Sequence, residues 1–110
     1  MNERMASDFD YDLRQYGLMR DRLEAYEAGT ISLHKLIEDL RDLLEALEHV
    51  SPAWRQDFRK NWWTLEQIYA AAIDREQLEG LTAESHLLIA ETIYSLHELV
   101  LKAINALNKS

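Results

Sequence analysis

The sequence predicts an all-α protein, one domain folded as an antiparallel four-helix up-down bundle. Three observations predict it. With three Gly and one Pro in 110 residues, the chain has little of the turn chemistry that hairpins require. Strong helix formers such as Leu, Ala, Glu and Arg dominate. Apolar residues recur at spacings of three and four in four successive stretches, each set off by capping residues. The length suits a single domain over residues 1–110, burying roughly 60–70% of its unfolded surface in one modest core.

The first helix is expected over about residues 8–28, with Phe9, Leu13, Tyr16, Met19, Leu23 and Tyr26 at helical spacing. Gly17 inside it marks a candidate close helix crossing. Gly29 is placed to stop the helix in the left-handed conformation. The second helix is expected over about 33–49, capped by Ser32, with Ile31 positioned to staple onto Leu36. Its stripe of Leu33, Leu36, Ile37, Leu40, Leu43, Leu44 and Leu47 is the clearest amphipathic pattern in the chain. Ser51-Pro52 reads as a cap followed by Pro at the first helical position, opening a third helix over about 52–76. This helix carries Trp54, Phe58, Trp62, Leu65, Ile68, Tyr69 and Ala72 on one side and ends between Arg75 and Gly80. Thr82 caps the fourth, about 83–107, whose main stripe is Ile89, Ile93, Leu96, Val100, Ala103 and Leu107. The first two connections are short, so consecutive helices pack as antiparallel neighbours.

All three Trp residues fall within the stretch "WRQDFRKNWW", residues 54–63. At about 100° per residue, Trp54, Phe58 and Trp62 share one face, and Trp63 lies far from it. Two readings of Trp63 follow. It lies over Arg59 or against a terminus, or it faces outward, where Trp and Arg are the residues most enriched at binding hot spots.

A second stripe on the fourth helix, Leu87, Ala90, Tyr94, His97 and Leu101, runs at spacings of three and four beside the main one. Only a narrow sector with Glu91, Ser95, Glu98 and Lys102 is frankly polar. A helix apolar round most of its circumference is central to its fold or lies at an interface, here with a second copy or another partner.

Charge narrows the partners. The formal net charge is −8. Residues 21–50 hold eight acids and three bases, and residues 64–98 seven acids and one base. Between them, residues 51–63 hold three bases and one acid. A nucleic-acid binder needs a basic footprint, so direct nucleic-acid binding is not expected, whereas a basic protein partner is. On the second helix Glu38, Asp42 and Glu45 line up opposite the leucine stripe. Such a row is a solvated face or a docking surface for Lys and Arg of a partner.

Catalytic chemistry finds no support. There is no Cys, no Gly-x-Ser-x-Gly elbow and no Gly-rich phosphate loop. Glu38 and Asp39 are read as an outward pair, with nothing to desolvate them for general-acid work. No Glu-x-x-His occurs, as a carboxylate-bridged metal site in a bundle requires. His34 and Glu38 read as a surface pair. His49 reads as a partner of the second helix's C-terminal dipole. His86 and His97 have no carboxylate at ligand spacing. The chain is therefore expected to be no enzyme and to hold no metal or cofactor. No apolar run reaches the ~20 residues needed to span a bilayer, and the N-terminus lacks the build of a secretory signal. With no Cys, a reduced cytoplasmic setting is expected.

The run "YDLRQYGLMRDRLEAYEAGTISLHKLIEDLRDLLEALEHV" followed by "WRQDFRKNWWTLEQIYAAAID" resembles a family of short all-helical bacterial immunity proteins, across about residues 11–74. These belong to contact-dependent growth inhibition and related polymorphic toxin systems. The resemblance implies that the protein binds a cognate toxin, a nuclease such as an RNase among the candidates, and covers its active site or substrate surface. An acidic inhibitor complements a basic RNA-binding toxin. The candidate contact residues, read from the chain itself, are Glu38, Asp42, Glu45, Arg59, Trp63 and Tyr94. The alternative is a helical homodimer through the fourth helix, or an adaptor for a basic partner, again without catalysis.

Overall fold

The computed structural model describes residues 3–74 and 81–109. Four helices follow in chain order: α1 Glu3–Glu27, α2 Leu33–Ala46, α3 Pro52–Asp74 and α4 Ala83–Asn108. Among the described residues there is no strand. The end expected for α3, between Arg75 and Gly80, lies outside the described residues.

Each helix runs beside two neighbours, α1 by α2, α2 by α3, α3 by α4 and α4 by α1, and across the α1–α3 diagonal core side chains such as Tyr16 and Trp54 meet. The pairs that meet run in opposite senses. Asp12 of α1 meets Glu48 and His49 beyond the end of α2, whereas Arg22 meets Asp39 near its middle. Arg55, Trp62 and Tyr69 of α3 reach back in turn to Leu44, Ile37 and His34 of α2. The chain thus runs up, down, up, down around a four-sided ring. The expected bundle is the fold.

The caps work within a few residues of each helix end. Ser32 Oγ accepts from Lys35 N at 3.1 Å, and Ser51 Oγ from Trp54 N at 3.1 Å, with Pro52 in the first turn. Thr82 Oγ1 accepts from Ser85 N at 3.1 Å. Gly29 has φ +79°. Its N–H donates to Tyr26 O and the Thr30 N–H to Ala25 O, which closes α1 by satisfying two carbonyls of its last turn.

The core follows the predicted stripes. Tyr16, Met19 and Leu23 of α1 are buried with Leu36, Ile37, Leu40 and Leu44 of α2. Phe58 and Leu65 of α3 and Ile89, Ile93, Leu96 and Val100 of α4 complete the centre. Each Leu-sized side chain removed from water contributes about 1.5–3 kcal/mol.

Several expectations need correction. Helix α1 begins at Glu3 rather than near residue 8. Phe9 is exposed and tilts against the His49 ring at 6.0 Å, because it lies outside the ring of four helices. Gly17 marks no close crossing: a Cβ built there meets nothing within 4 Å. Helix α4 is not central. Its second stripe stays on the surface, since each helix in a four-sided ring has an outer face.

Helix α2 stops at Ala46, three residues before the expected end. Leu47 turns to extended backbone, and the next two N–H groups point at Asp12. The two Asp12 carboxylate oxygens accept one each, from Glu48 N at 3.0 Å and His49 N at 2.7 Å. From the other side Arg55 donates to Leu44 O at 3.2 Å and Leu47 O at 3.3 Å. One acid from α1 and one base from α3 therefore hold the α2–α3 connection by both kinds of backbone group. His49 is exposed beyond the helix end and does not serve the α2 dipole.

Tyr16 is buried beside this lock. Burial, with the Asp12 charge adding and Arg55 opposing, pushes its phenol up to about 12 from 10.0. A raised folded-state value means the stability is intact below pH ~10 and is lost as the pH rises toward ~12. Denaturant titrations across that window should show a loss of roughly 2–3 kcal/mol that Tyr16→Phe lacks. Equal alkaline losses in both proteins would remove Tyr16 as the cause.

Candidate partner-binding faces

The three Trp residues divide by the side of α3 on which they lie. Trp54 is half-buried, stacks on Phe58 at 5.2 Å and meets the Tyr16 ring edge-on at 5.4 Å. Its Nε1–H donates to Leu99 O of α4 at 2.9 Å. Trp62 is also half-buried, and its Nε1–H donates to Ile37 O of α2 at 2.8 Å. The two indoles thus tie α3 to both of its neighbours through main-chain carbonyls. Trp63 is 55% exposed and makes no ring contact among the described residues.

The Trp62–Ile37 bond fixes which surface residues share a level. Trp63 follows Trp62, and Glu38 follows Ile37, each rotated about 100° outward from the α2–α3 seam. Because the helices are antiparallel, both steps turn to the same outer side of the seam, with Trp63 and Glu38 about 3 Å apart along it. Arg59, exposed one turn before Trp63, comes near the level of Leu40 and Arg41 by the same antiparallel register. Glu45 continues the acidic row toward the α2–α3 connection. Five of the six candidate residues, Glu38, Asp42, Glu45, Arg59 and Trp63, lie on the outer surface of α2 and α3, with Asp42 on the edge toward α1.

The acids on this face are solvated and weakly held. Glu38 pairs with His34 at 3.3 Å and Asp42 with Arg41 at 3.4 Å, all well exposed. Such pairs contribute about 0–1 kcal/mol each and leave the carboxylates free to exchange partners. Asp39 departs from expectation. It turns toward α1, meeting Arg22 there at 3.9 Å and Lys35 of its own helix at 3.1 Å, with a 17% exposed side chain. These residues, with Leu18, Asp42 and Leu43, line a groove of about 330 Å³ between α1 and α2.

The sixth candidate lies elsewhere. Tyr94 is 67% exposed on α4, in line with Leu87 at 64% and Leu101 at 41%. His97, in the same stripe, sits lower and pairs with Glu27 of α1 at 3.0 Å, a partner invisible in the α4 sequence. That bond places the Tyr94 strip on the α1–α4 side of the ring, opposite the Trp63 face.

Sequence reasoning missed Asp12 and Arg55, which shape the end of the acidic row by stopping α2. The isolated acid of the core stripe in α1, at i−4 from Tyr16, was the available signal. Among the described residues, no three His, Cys, Asp or Glu come together as a metal-binding group. No helix among them is long and apolar enough to cross a membrane.

The fold is an up-down helical bundle bearing two opposed surface strips, one acidic and aromatic, the other apolar. No family model matches the chain, and neither a curated protein nor a solved structure matches it.

Proposed function

We propose that the protein is an immunity protein of a polymorphic toxin system, which binds a cognate toxin in the cytoplasm and neutralises it by contact. A nuclease with a basic, RNA-binding surface is the toxin class that best complements it. The observation that carries this reading is the solvated row Glu38, Asp42 and Glu45 on the outer surface of α2, beside the exposed Trp63 and Arg59 on the outer side of α3. Acids without committed partners attract a basic surface from a distance and speed encounter. An exposed indole beside a guanidinium then supplies the apolar contact that slows dissociation. The resemblance of residues 11–74 to immunity proteins supplies the word toxin. Inhibition proceeds by covering the active site or the substrate surface, with no cofactor and no chemistry of the protein's own.

The test is association with the co-encoded toxin. Glu38→Lys, Asp42→Lys and Glu45→Lys together should slow association about tenfold or more at low salt and flatten its salt dependence. Thermal stability should change little, because all three side chains project away from the core. Cells making the toxin should grow with the wild-type protein and poorly with the triple variant at limiting expression. Unchanged association kinetics would remove the acidic row from the mechanism. Failure of the wild-type protein to bind or protect against that toxin would sink the immunity reading. The second reading, a homodimer or adaptor contact through α4, is favoured by the exposed Leu87, Tyr94 and Leu101 strip.

A further inference from the structure

We infer that the outer strip of α4 is a second docking face, built to receive one amphipathic helix with basic flanks. This does not rest on the toxin reading, because the strip lies on the other side of the ring from Trp63 and the acidic row. Half of the exposed large hydrophobic residues described, Leu87, Leu88, Tyr94 and Leu101, belong to this one helix. Leu87, Ala90, Tyr94, His97 and Leu101 alternate in steps of three and four, the repeat by which one helix seats against another. From Leu87 to Leu101 the seam is about 21 Å long at 1.5 Å per residue, or two heptads. Core packing does not explain it, since Ile89, Ile93, Leu96 and Val100 already fill the inner face.

The charges beside the seam choose the occupant. Glu84, Glu91 and Glu98 fall on its outer edge at intervals of seven. All three are exposed and make no ion pair among the described residues. Lys102 is the one base on that edge among the described residues. The α1 edge is balanced, with exposed Arg20 and Glu24 on the same side of α1 as Glu27. A second copy fits the apolar pattern, since Leu87 and Leu101 are equidistant from Tyr94 and would swap across a two-fold axis. That arrangement also brings Glu91 to within one residue of the level of Glu98 of the second copy, on the same edge of the seam, and Glu98 likewise to its Glu91. Like charges facing at the centre of a helical seam oppose pairing. A partner helix with Lys or Arg at those flanking positions turns the same three Glu residues into attractions. The occupant is therefore a basic amphipathic helix of another protein, not this chain again.

The experiment uses the full chain and two labelled helical peptides of about three heptads. They share a Leu/Ala seam and differ in having Lys or Glu at the flanking positions. Sedimentation of the protein alone should give a monomer at micromolar concentration. The Lys-flanked peptide should bind at least about tenfold more tightly than the Glu-flanked one, and raising the salt should narrow the gap. Glu84→Gln, Glu91→Gln and Glu98→Gln together should remove most of that gap. Tyr94→Glu with Leu101→Glu should abolish binding of either peptide while the helical circular dichroism is retained. The Glu38, Asp42 and Glu45 triple Lys variant should bind the peptide as the wild type does, so this result and the toxin result are separable. A dimer in sedimentation, equal binding of the two peptides, or loss of binding only in the α2 triple variant would each overturn the inference.

Discussion

Replacing Asp12 by Ala is expected to lower the stability of the protein by about 2–4 kcal/mol, a large fraction of what a domain of this size has to lose. The side chain is fully buried and accepts two main-chain N–H groups from a connection 36 and 37 residues away. Hydrogen bonds to a charged acceptor contribute about 1.5–3 kcal/mol each, and Ala offers no acceptor to either donor. Part of the loss is recovered because Glu48 and His49 are exposed residues, so water can take the place of the lost carboxylate. Asp12→Asn should be nearly as harmful despite its matching shape. Its amide offers one oxygen to two donors and turns an N–H toward the other. Urea unfolding followed by circular dichroism reads the change directly. An Asn variant with the wild-type midpoint would mean that shape, not the paired acceptors, holds the connection.

Trp62→Ala should destabilise the fold by about 2–4 kcal/mol, whereas Trp63→Ala next to it should lose less than about 1.5 kcal/mol. The contrast rests on orientation alone, since the residues are chemically identical. Trp62 packs against the core and donates to Ile37 O, so its removal opens a cavity at the α2–α3 seam. Trp63 has more than half its surface in water. In partner binding the order should reverse, with Trp63→Ala weakening the complex by more than it weakens the fold. Equal denaturation midpoints for the two variants would show that α3 is buried on two sides and that Trp63 is no contact residue.

What could be seen in advance depended on how far each interaction reaches along the chain. The caps at Ser32, Ser51 and Thr82 were legible because donor and acceptor lie three residues apart. The α2 stripe was legible because helical periodicity alone sorts Leu36 and Leu40 from Glu38 and Asp42. The early end of α2 was not, because its cause is an acid on another helix. The sequence shows Asp12 only as an acid on the apolar stripe of α1; which backbone groups it holds appears only once α1 and α2 are docked. The second α4 stripe shows the same limit from the other side. Its apolar pattern was evident, but only the ring arrangement decides that Leu87 and Tyr94 face solvent. For the candidate site, the sequence placed Glu38, Asp42 and Glu45 in a row and Trp63 away from the core. That the row and the indole lie on the same outer side of the α2–α3 seam follows from the Trp62–Ile37 bond, and that Tyr94 is on the far side follows from His97 and Glu27.

The His97–Glu27 contact joins residues 70 positions apart, while Asp12 and Arg55 act over much shorter spans. Closing a loop carries an entropic penalty that grows with its length. Three of the four helix seams connect chain neighbours and can form early as hairpins. The α1–α4 seam shuts only when the whole chain has come round on itself. Substitutions at the α2–α3 seam should accordingly slow folding, and those at the α1–α4 seam should mainly hasten unfolding. The face that carries Tyr94 is then the last part of the molecule to be made.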